Sequence, residues 1–251
     1  MDRDLPGVHL RWLALEEQTL DAVRLLPLLT PLERTRFAAT ASAATAERFV
    51  FGRVLLRMLA GELTGRPARE IRVVATCPRC GGAHGRPHLE GDDALGELSV
   101  SIAHCAGAVV AAVSSAGAVG IDIEPVDGPP GRGDDITRIA GAPFSTGGTR
   151  LADPILHWTR VEAALKADGR GLDVDPRRVH VHESRLAAEA RIDGMRFRLA
   201  EPHLDPAFRV SVALGPLEGT AAGPIIGWRR EHGDALTDSV LSVSGASASG
   251  R

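Results

Sequence analysis

The chain has 251 residues, 44% of them hydrophobic, and a formal net charge of -3. That apolar content can build a real core and argues against a disordered chain, and the small charge excludes a global attraction to nucleic acid or to a membrane surface. No run is apolar for long enough to cross a bilayer, and the opening Met1-Asp2-Arg3-Asp4 lacks the basic-then-apolar profile of a secretory leader. Three cysteines, two of them in a Cys-x-x-Cys, suit a reducing cytoplasm better than a disulfide framework. There is no tyrosine, and Trp12, Trp158 and Trp228 are the only tryptophans, so Ala, Val and Leu must fill most of the core. Lys166 is the only lysine in an arginine-rich chain.

In chain order, residues 8–15 read as a strand and residues 20–29 as a helical piece. Thr30-Pro31-Leu32-Glu33 is a helix start, with a hydroxyl cap, proline at the first position and glutamate at the third. The clearest helix is predicted over 43–63, where Phe51, Val54, Leu55, Met58 and Leu59 make a core-facing stripe and Arg48, Arg53 and Arg57 fall largely off it. A short strand over 71–75 leads into a Gly- and Pro-rich loop. In that loop Cys77 and Cys80, with His84 and His88, offer a zinc-binding alternative to a turn with reduced thiols. Strands over 98–103 and 108–114 follow. His104 stands at the strand-to-turn junction between them, as either a structural histidine or an outward-facing functional one.

The next strand is Val119-Gly120-Ile121-Asp122-Ile123-Glu124-Pro125. Its period of two puts Asp122 and Glu124 on one face, where two carboxylates repel unless a cation or a proton intervenes. A hard divalent cation such as Mg²⁺ suits such oxygen ligands. Residues 127–148 read as a Gly-, Pro- and Asp-rich connection with one helical piece near 136–140. Asp153-Pro154 opens a second long helix to about Ala167, with Trp158, Val161 and Leu165 on its buried seam and Glu162 and Lys166 four apart on the flank. Short antiparallel strands are predicted over 178–183, 190–192, 196–199 and 208–214. The Ser-, Gly- and Ala-rich end from 235 reads as a disordered tail. The predicted class is α+β, with halves 1–118 and 119–234 meeting near residue 118, followed by the tail 235–251.

Two separated segments combine into a resemblance. Gly120-Ile121-Asp122-Ile123-Glu124 resembles the first signature of the 4′-phosphopantetheinyl transferase superfamily. The run Trp158-Thr159-Arg160-Val161-Glu162-Ala163-Ala164-Leu165-Lys166, continuing to Gly169-Arg170-Gly171-Leu172, resembles the second. Gly85-Arg86-Pro87 and Val100-Ser101-Ile102-Ala103-His104-Cys105 are similar to N-terminal segments of the larger, surfactin-type and actinobacterial-like members, and the Cys-x-x-Cys loop is familiar from the latter. The resemblance covers most of residues 30–215.

It implies a pseudo-dimer of two similar α/β halves, each a small, mainly antiparallel sheet packed on a long helix. It implies a Mg²⁺-dependent enzyme, with Mn²⁺ as the alternative ion, that moves the phosphopantetheine arm of coenzyme A to a serine of an acyl or peptidyl carrier protein. Asp122, Glu124 and Glu162 would hold the metal, and Lys166 would contact the transferring phosphate. Arg48, Arg86 and His104 would grip the 3′-phosphate and neighbouring phosphates of coenzyme A. Glu162 or a metal-bound water would take the serine proton. The carrier partner would belong to polyketide, nonribosomal peptide or fatty-acid synthesis. With both halves in one chain, the expected state is a cytoplasmic monomer with no nucleic-acid or membrane partner. One departure stands out: the second signature has lysine where this chain has Val161. A noncatalytic or weakly active coenzyme A- or carrier-binding homologue is therefore the alternative expectation.

Overall fold

The computed structural model describes residues 7–15, 21–77, 79–82, 85–141, 153–184, 187–216, 226–233 and 236. Its elements in chain order are β1 (Val8–Ala14), α1 (Pro31–Ala39), α2 (Ala43–Thr64), β2 (Arg72–Val74), β3 (His88–Glu90) and α3 (Asp93–Gly96), then β4 (Ser99–His104), β5 (Ala108–Ser114) and β6 (Ala118–Pro125). There follow α4 (Arg132–Ala140), α5 (Pro154–Asp168), β7 (His180–Glu183), β8 (Ala188–Ile192), β9 (Met195–Ala200), β10 (Phe208–Gly215) and β11 (Ile226–Arg230). The protein is a mixed α+β structure with two principal sheets, ordered β11-β1-β5-β4 and β6-β10-β9-β8-β7, and a separate β2-β3 ribbon. Every described pairing is antiparallel except that of β1 with β11. No helix among the described residues is long and apolar enough to cross a membrane.

The hydrophobic pattern explains the layering. β5 is apolar on both faces because both are covered: Val109, Ala111 and Val113 join the core under α2, while Ala108, Val110 and Ala112 join a second core between the sheets. β6 and β10 divide in the same way. Val119, Ile121, Ile123, Val210, Val212 and Leu214 enter the inter-sheet core, and the alternate residues face α5, whose Val161, Ala163, Ala164 and Leu165 lie in a third core with Ala213 and Phe197. The order is therefore helix, sheet, sheet, helix. The edge strands β4 and β6 run side by side, and hydroxyls join them: Ser99 Oγ accepts from the Val119 N–H at 2.9 Å and Ser101 Oγ from the Ile121 N–H at 3.1 Å.

The expected helix start at Thr30 is a capping box, with Thr30 Oγ1 accepting from the Glu33 N–H and Glu33 Oε2 accepting from the Thr30 N–H. Arg53 and Arg57 depart from expectation. Both are buried, because α1 covers the side of α2 that the stripe leaves open. Their charges converge on the buried Glu33, with Arg57 at 2.6 Å and Arg53 at 3.6 Å. Burial lowers the Arg53 pKa to about 10.

The last strand also crosses the boundary expected at residue 118. β11 pairs with β1 in the first sheet, Arg11 forms a buried ion pair with Glu231 at 3.1 Å, and Leu236 is fully buried in the α2 core. The rest of the predicted tail lies outside the described residues.

Gly120 is where α5 meets β6. A Cβ there would stand 2.0 Å from the Ala163 carbonyl oxygen and 2.5 Å from the Ala167 nitrogen, both backbone atoms. The small residues Ala163, Ala164 and Ala167 serve the same close approach. Gly120→Ala should therefore destabilise the fold by about 1–3 kcal/mol, read as a lower urea midpoint with unchanged slope.

Candidate functional site

The approach of α5 at Gly120 brings helix and strand side chains together two residues further along. Asp122 is buried on the α5 side of β6, and the Lys166 ammonium donates to its Oδ1 at 2.6 Å and to the Ile121 carbonyl at 3.1 Å. Glu162, one turn earlier on α5, lies 4.0 Å from the same ammonium. Glu124, at the end of β6, is held by the Arg132 guanidinium from the start of α4, which also donates to the Pro125 carbonyl at 2.9 Å. Asp122 Oδ2 is buried and has no hydrogen-bond partner among the described residues.

Burial raises the affinity of all three carboxylates for a proton. Asp122 adds to this at Glu124, and Asp122 and Glu124 both add to it at Glu162, whereas Lys166 acts in the opposite sense on each. The three are thus close enough to feel one another. No group of three acidic, histidine or cysteine side chains among the described residues already converges on one point as metal ligands do. The donors nevertheless suit a hard divalent cation: they are all carboxylate oxygens, and one buried oxygen lacks a partner.

Position 161 changes the meaning of the departure from the second signature. Val161 is fully buried and packs in the α5 core rather than toward Asp122. Arg160 is no substitute cation, because it is buried against Glu201 at 2.6 Å and Glu183 at 3.2 Å. Besides Lys166, Arg132 stands beside the acidic cluster, on Glu124. Sequence reading missed it because it lies in the segment between the two motifs. Of the predicted seam, Val161 and Leu165 are buried and Trp158 is partly so.

The serine bridges show where the N-terminal candidates fall. Ser99 meets Val119 and Ser101 meets Ile121, an offset of twenty residues in each case. The same offset brings His104 level with Glu124, across the seam between the sheets. Partial withdrawal from water lowers the His104 pKa, and the positive charges of Arg48, Lys166 and Arg36 add to the effect. Arg48 donates to Thr45 Oγ1 at 3.1 Å, while its buried Nε has no partner among the described residues. Arg48, His104 and Lys166 therefore form one rim beside the carboxylates, in which Arg48 and Lys166 carry the positive charge and favour the neutral imidazole of His104.

Arg86 is not part of that rim. It donates to Ser99 Oγ at 3.3 Å and lies against Gly169, whose added Cβ would stand 2.7 Å from it. That is the other end of β4, roughly 17 Å from His104 at about 3.3 Å per strand residue. The serines Ser99 and Ser101 were a missed feature, legible only as hydroxyls at period two in an apolar strand.

The predicted zinc ligands do not assemble among the described residues. His88 pairs with Val74, three residues before Cys77, which places it well back along the ribbon, and His84 lies outside the described residues. The Cys77 thiol is pushed down by the backbone N–H groups of Cys80 and Arg79, and the Gly82 N–H donates to Cys80 Sγ at 3.4 Å. Arg79, between the two cysteines, pairs with Asp173 beyond α5 at 2.9 Å.

Two cavities are lined by described residues. One of about 320 Å³ lies between α1, α2 and β2, with Arg36, Phe49, Arg53 and Thr76 in its wall, and Arg36 stacks on the Phe49 ring at 4.4 Å. The other, of about 500 Å³, lies at the start of α5, with Asp153, Glu201, Phe208 and Arg209 in its wall. Neither is lined by the carboxylate cluster.

The chain matches no protein-family model and no curated protein sequence.

Two predictions follow from this geometry. Val161→Lys would bury an unpaired charge in the α5 core and should cost about 3–5 kcal/mol, whereas Val161→Met should cost under about 1.5 kcal/mol; chemical denaturation of both separates the outcomes. The carboxylates bind protons more tightly folded than unfolded, so stability is present below the ordinary carboxylate range and is lost as pH rises from about 4 through the raised folded values. Metal-free unfolding free energy should fall across that window, and Glu162→Gln should flatten the slope.

Proposed function

We propose that the protein transfers the 4′-phosphopantetheine arm of coenzyme A to a serine hydroxyl of an acyl or peptidyl carrier protein, releasing adenosine 3′,5′-bisphosphate. The observation that carries this reading is the Lys166–Asp122 pair. Residues from two separated sequence segments meet at one point, with Glu162 and Glu124 beside it and the Arg48–His104 rim facing it across the seam. The layered arrangement, a helix packed outside each of two abutting, mainly antiparallel sheets, supports a pseudo-dimeric transferase fold.

Asp122, Glu124 and Glu162 would hold a Mg²⁺ or Mn²⁺ ion, which neutralises charge developing on a pyrophosphate. Lys166 is positioned by Asp122 and the Ile121 carbonyl to meet the phosphate under attack, and its single charge offsets the charge of the departing group. His104 and Arg48 bind the remaining phosphates of coenzyme A. Arg48 brings a guanidinium with an unused donor, and His104 accepts a proton more readily once an anion is beside it. The Arg36–Phe49 cavity is where an aromatic base and a phosphate can sit together. The carrier serine gives its proton to Glu162, whose carboxylate is raised by burial and by its acidic neighbours.

A second reading has one observation in its favour. Lys166 and Arg132 already neutralise Asp122 and Glu124, and the carboxylates do not converge. A noncatalytic coenzyme A- or carrier-binding protein would tolerate that state.

Purified protein with coenzyme A, Mg²⁺ and apo carrier proteins should add one phosphopantetheine mass to the carrier. Asp122→Ala should lower the rate by about a thousandfold or more with the fold retained by circular dichroism. No mass gain across a broad carrier panel, with coenzyme A still bound in calorimetry, would select the second reading.

A further inference from the structure

The segment joining β6 to α4 is fastened to the acidic cluster by one side chain. Arg132 reaches back from the first turn of α4 to Glu124, and its other terminal nitrogen donates to the Pro125 carbonyl at 2.9 Å. Gly128 in the intervening loop lies on the stem of this arginine: a Cβ there would stand 2.8 Å from Arg132 Cδ and 3.1 Å from a guanidinium nitrogen. The arginine and Glu124 side chains are 21% and 25% exposed, so the pair is shielded yet within reach of solvent. Three carboxylates here share two cations. Lys166 is fixed by the Ile121 carbonyl as well as by Asp122, and both of those partners belong to β6 in the body of the sheet. Arg132 instead comes from a short helix anchored by Ile136 and Ala140.

We propose that Arg132 is the exchangeable counter-cation of the acidic cluster, occupying Glu124 until a divalent cation takes that carboxylate, so that cation loading releases the loop between Pro125 and Arg132. The proposal rests on Asp122, Glu124 and Glu162 being the cation ligands. The physical reason is competition. A carboxylate oxygen cannot give its lone pairs fully to a guanidinium and to a metal ion, and a positive charge left beside the site repels the incoming ion. Freed from Glu124, the loop loses both ends of its clamp, because the contact with Pro125 is made by the same guanidinium.

The test uses the full chain and Mn²⁺ titrated by electron paramagnetic resonance, with Mg²⁺ as competitor, in the presence and absence of coenzyme A. Arg132→Gln should bind Mn²⁺ roughly tenfold more tightly than the natural protein, because one competing unit charge is gone. Arg132→Lys keeps the charge and should stay near the natural affinity. Arg138→Gln, on the same helix but paired with the exposed Asp135, should change nothing. Amide hydrogen exchange over residues 126–132 should quicken on Mn²⁺ addition in the natural protein and be fast and unresponsive in Arg132→Gln. An Arg132→Gln affinity equal to or below that of the natural protein overturns the proposal. Absence of Mn²⁺ binding in every variant, with or without coenzyme A, overturns both the proposal and the cation reading beneath it. Tighter Mn²⁺ binding by Arg132→Gln without phosphopantetheine transfer by the natural protein supports the proposal and removes the transferase reading alone.

Discussion

The close approach of α5 to β6 is the constraint on which the rest of the molecule depends. Gly120 has no side chain because the backbone of Ala163 and Ala167 occupies the space a Cβ would need. That contact sets the height of the helix above the sheet, and hence where Lys166 and Glu162 stand relative to Asp122. A helix held about 1 Å further out, as a methyl group would require, would put the Lys166 ammonium beyond its 2.6 Å contact. Chemistry and packing are therefore set by one interaction, and a glycine in the strand motif is as much a part of the centre as its carboxylates.

The second organising contact is the seam between β4 and β6. Two edge strands from different sheets meet without a backbone ladder, and Ser99 and Ser101 supply acceptors that the neighbouring backbone does not. The seam matters because residues on its two sides come from different halves of the chain. His104 and Arg48 belong to the first half, while Asp122, Glu124, Glu162 and Lys166 belong to the second, and the twenty-residue offset sets β4 against β6 so that His104 comes level with Glu124. The crossing of β11 into the first sheet and the burial of Leu236 under α2 tie the far end of the chain back to its beginning.

The centre is electrostatically frustrated. One buried and two partly buried carboxylates are held close together, each with a raised affinity for protons, and are neutralised in part by one lysine and one arginine. Apolar side chains of similar volume can be as stabilising as buried ionic groups, and Val161, elsewhere on α5, is such a core residue. Beside this cluster stands the rim to which Arg48 and Lys166 bring positive charge, and Arg48 Nε has no partner among the described residues.

Much of this was legible in the sequence, and the limits have physical causes. Local rules were enough for the Thr30–Glu33 cap, the long helix α2, the strand β6 and the helix α5, because capping, period and breakers act within a few residues. Placing Asp122 and Glu124 on one face needed only the strand period. What the sequence could not decide was direction in three dimensions. Arg53 and Arg57 look like surface residues on a helical wheel and are buried because a second helix covers them. Val161 reads as a missing cation until α5 is seen to turn that position into its own core. Arg86 and His104 both sit in motifs, but only the tertiary structure puts them at opposite ends of β4. Arg132 carries no local signal at all. It became part of the centre only when the chain folded back from α4 onto Glu124, a contact closing a loop between residues eight apart that no periodicity records.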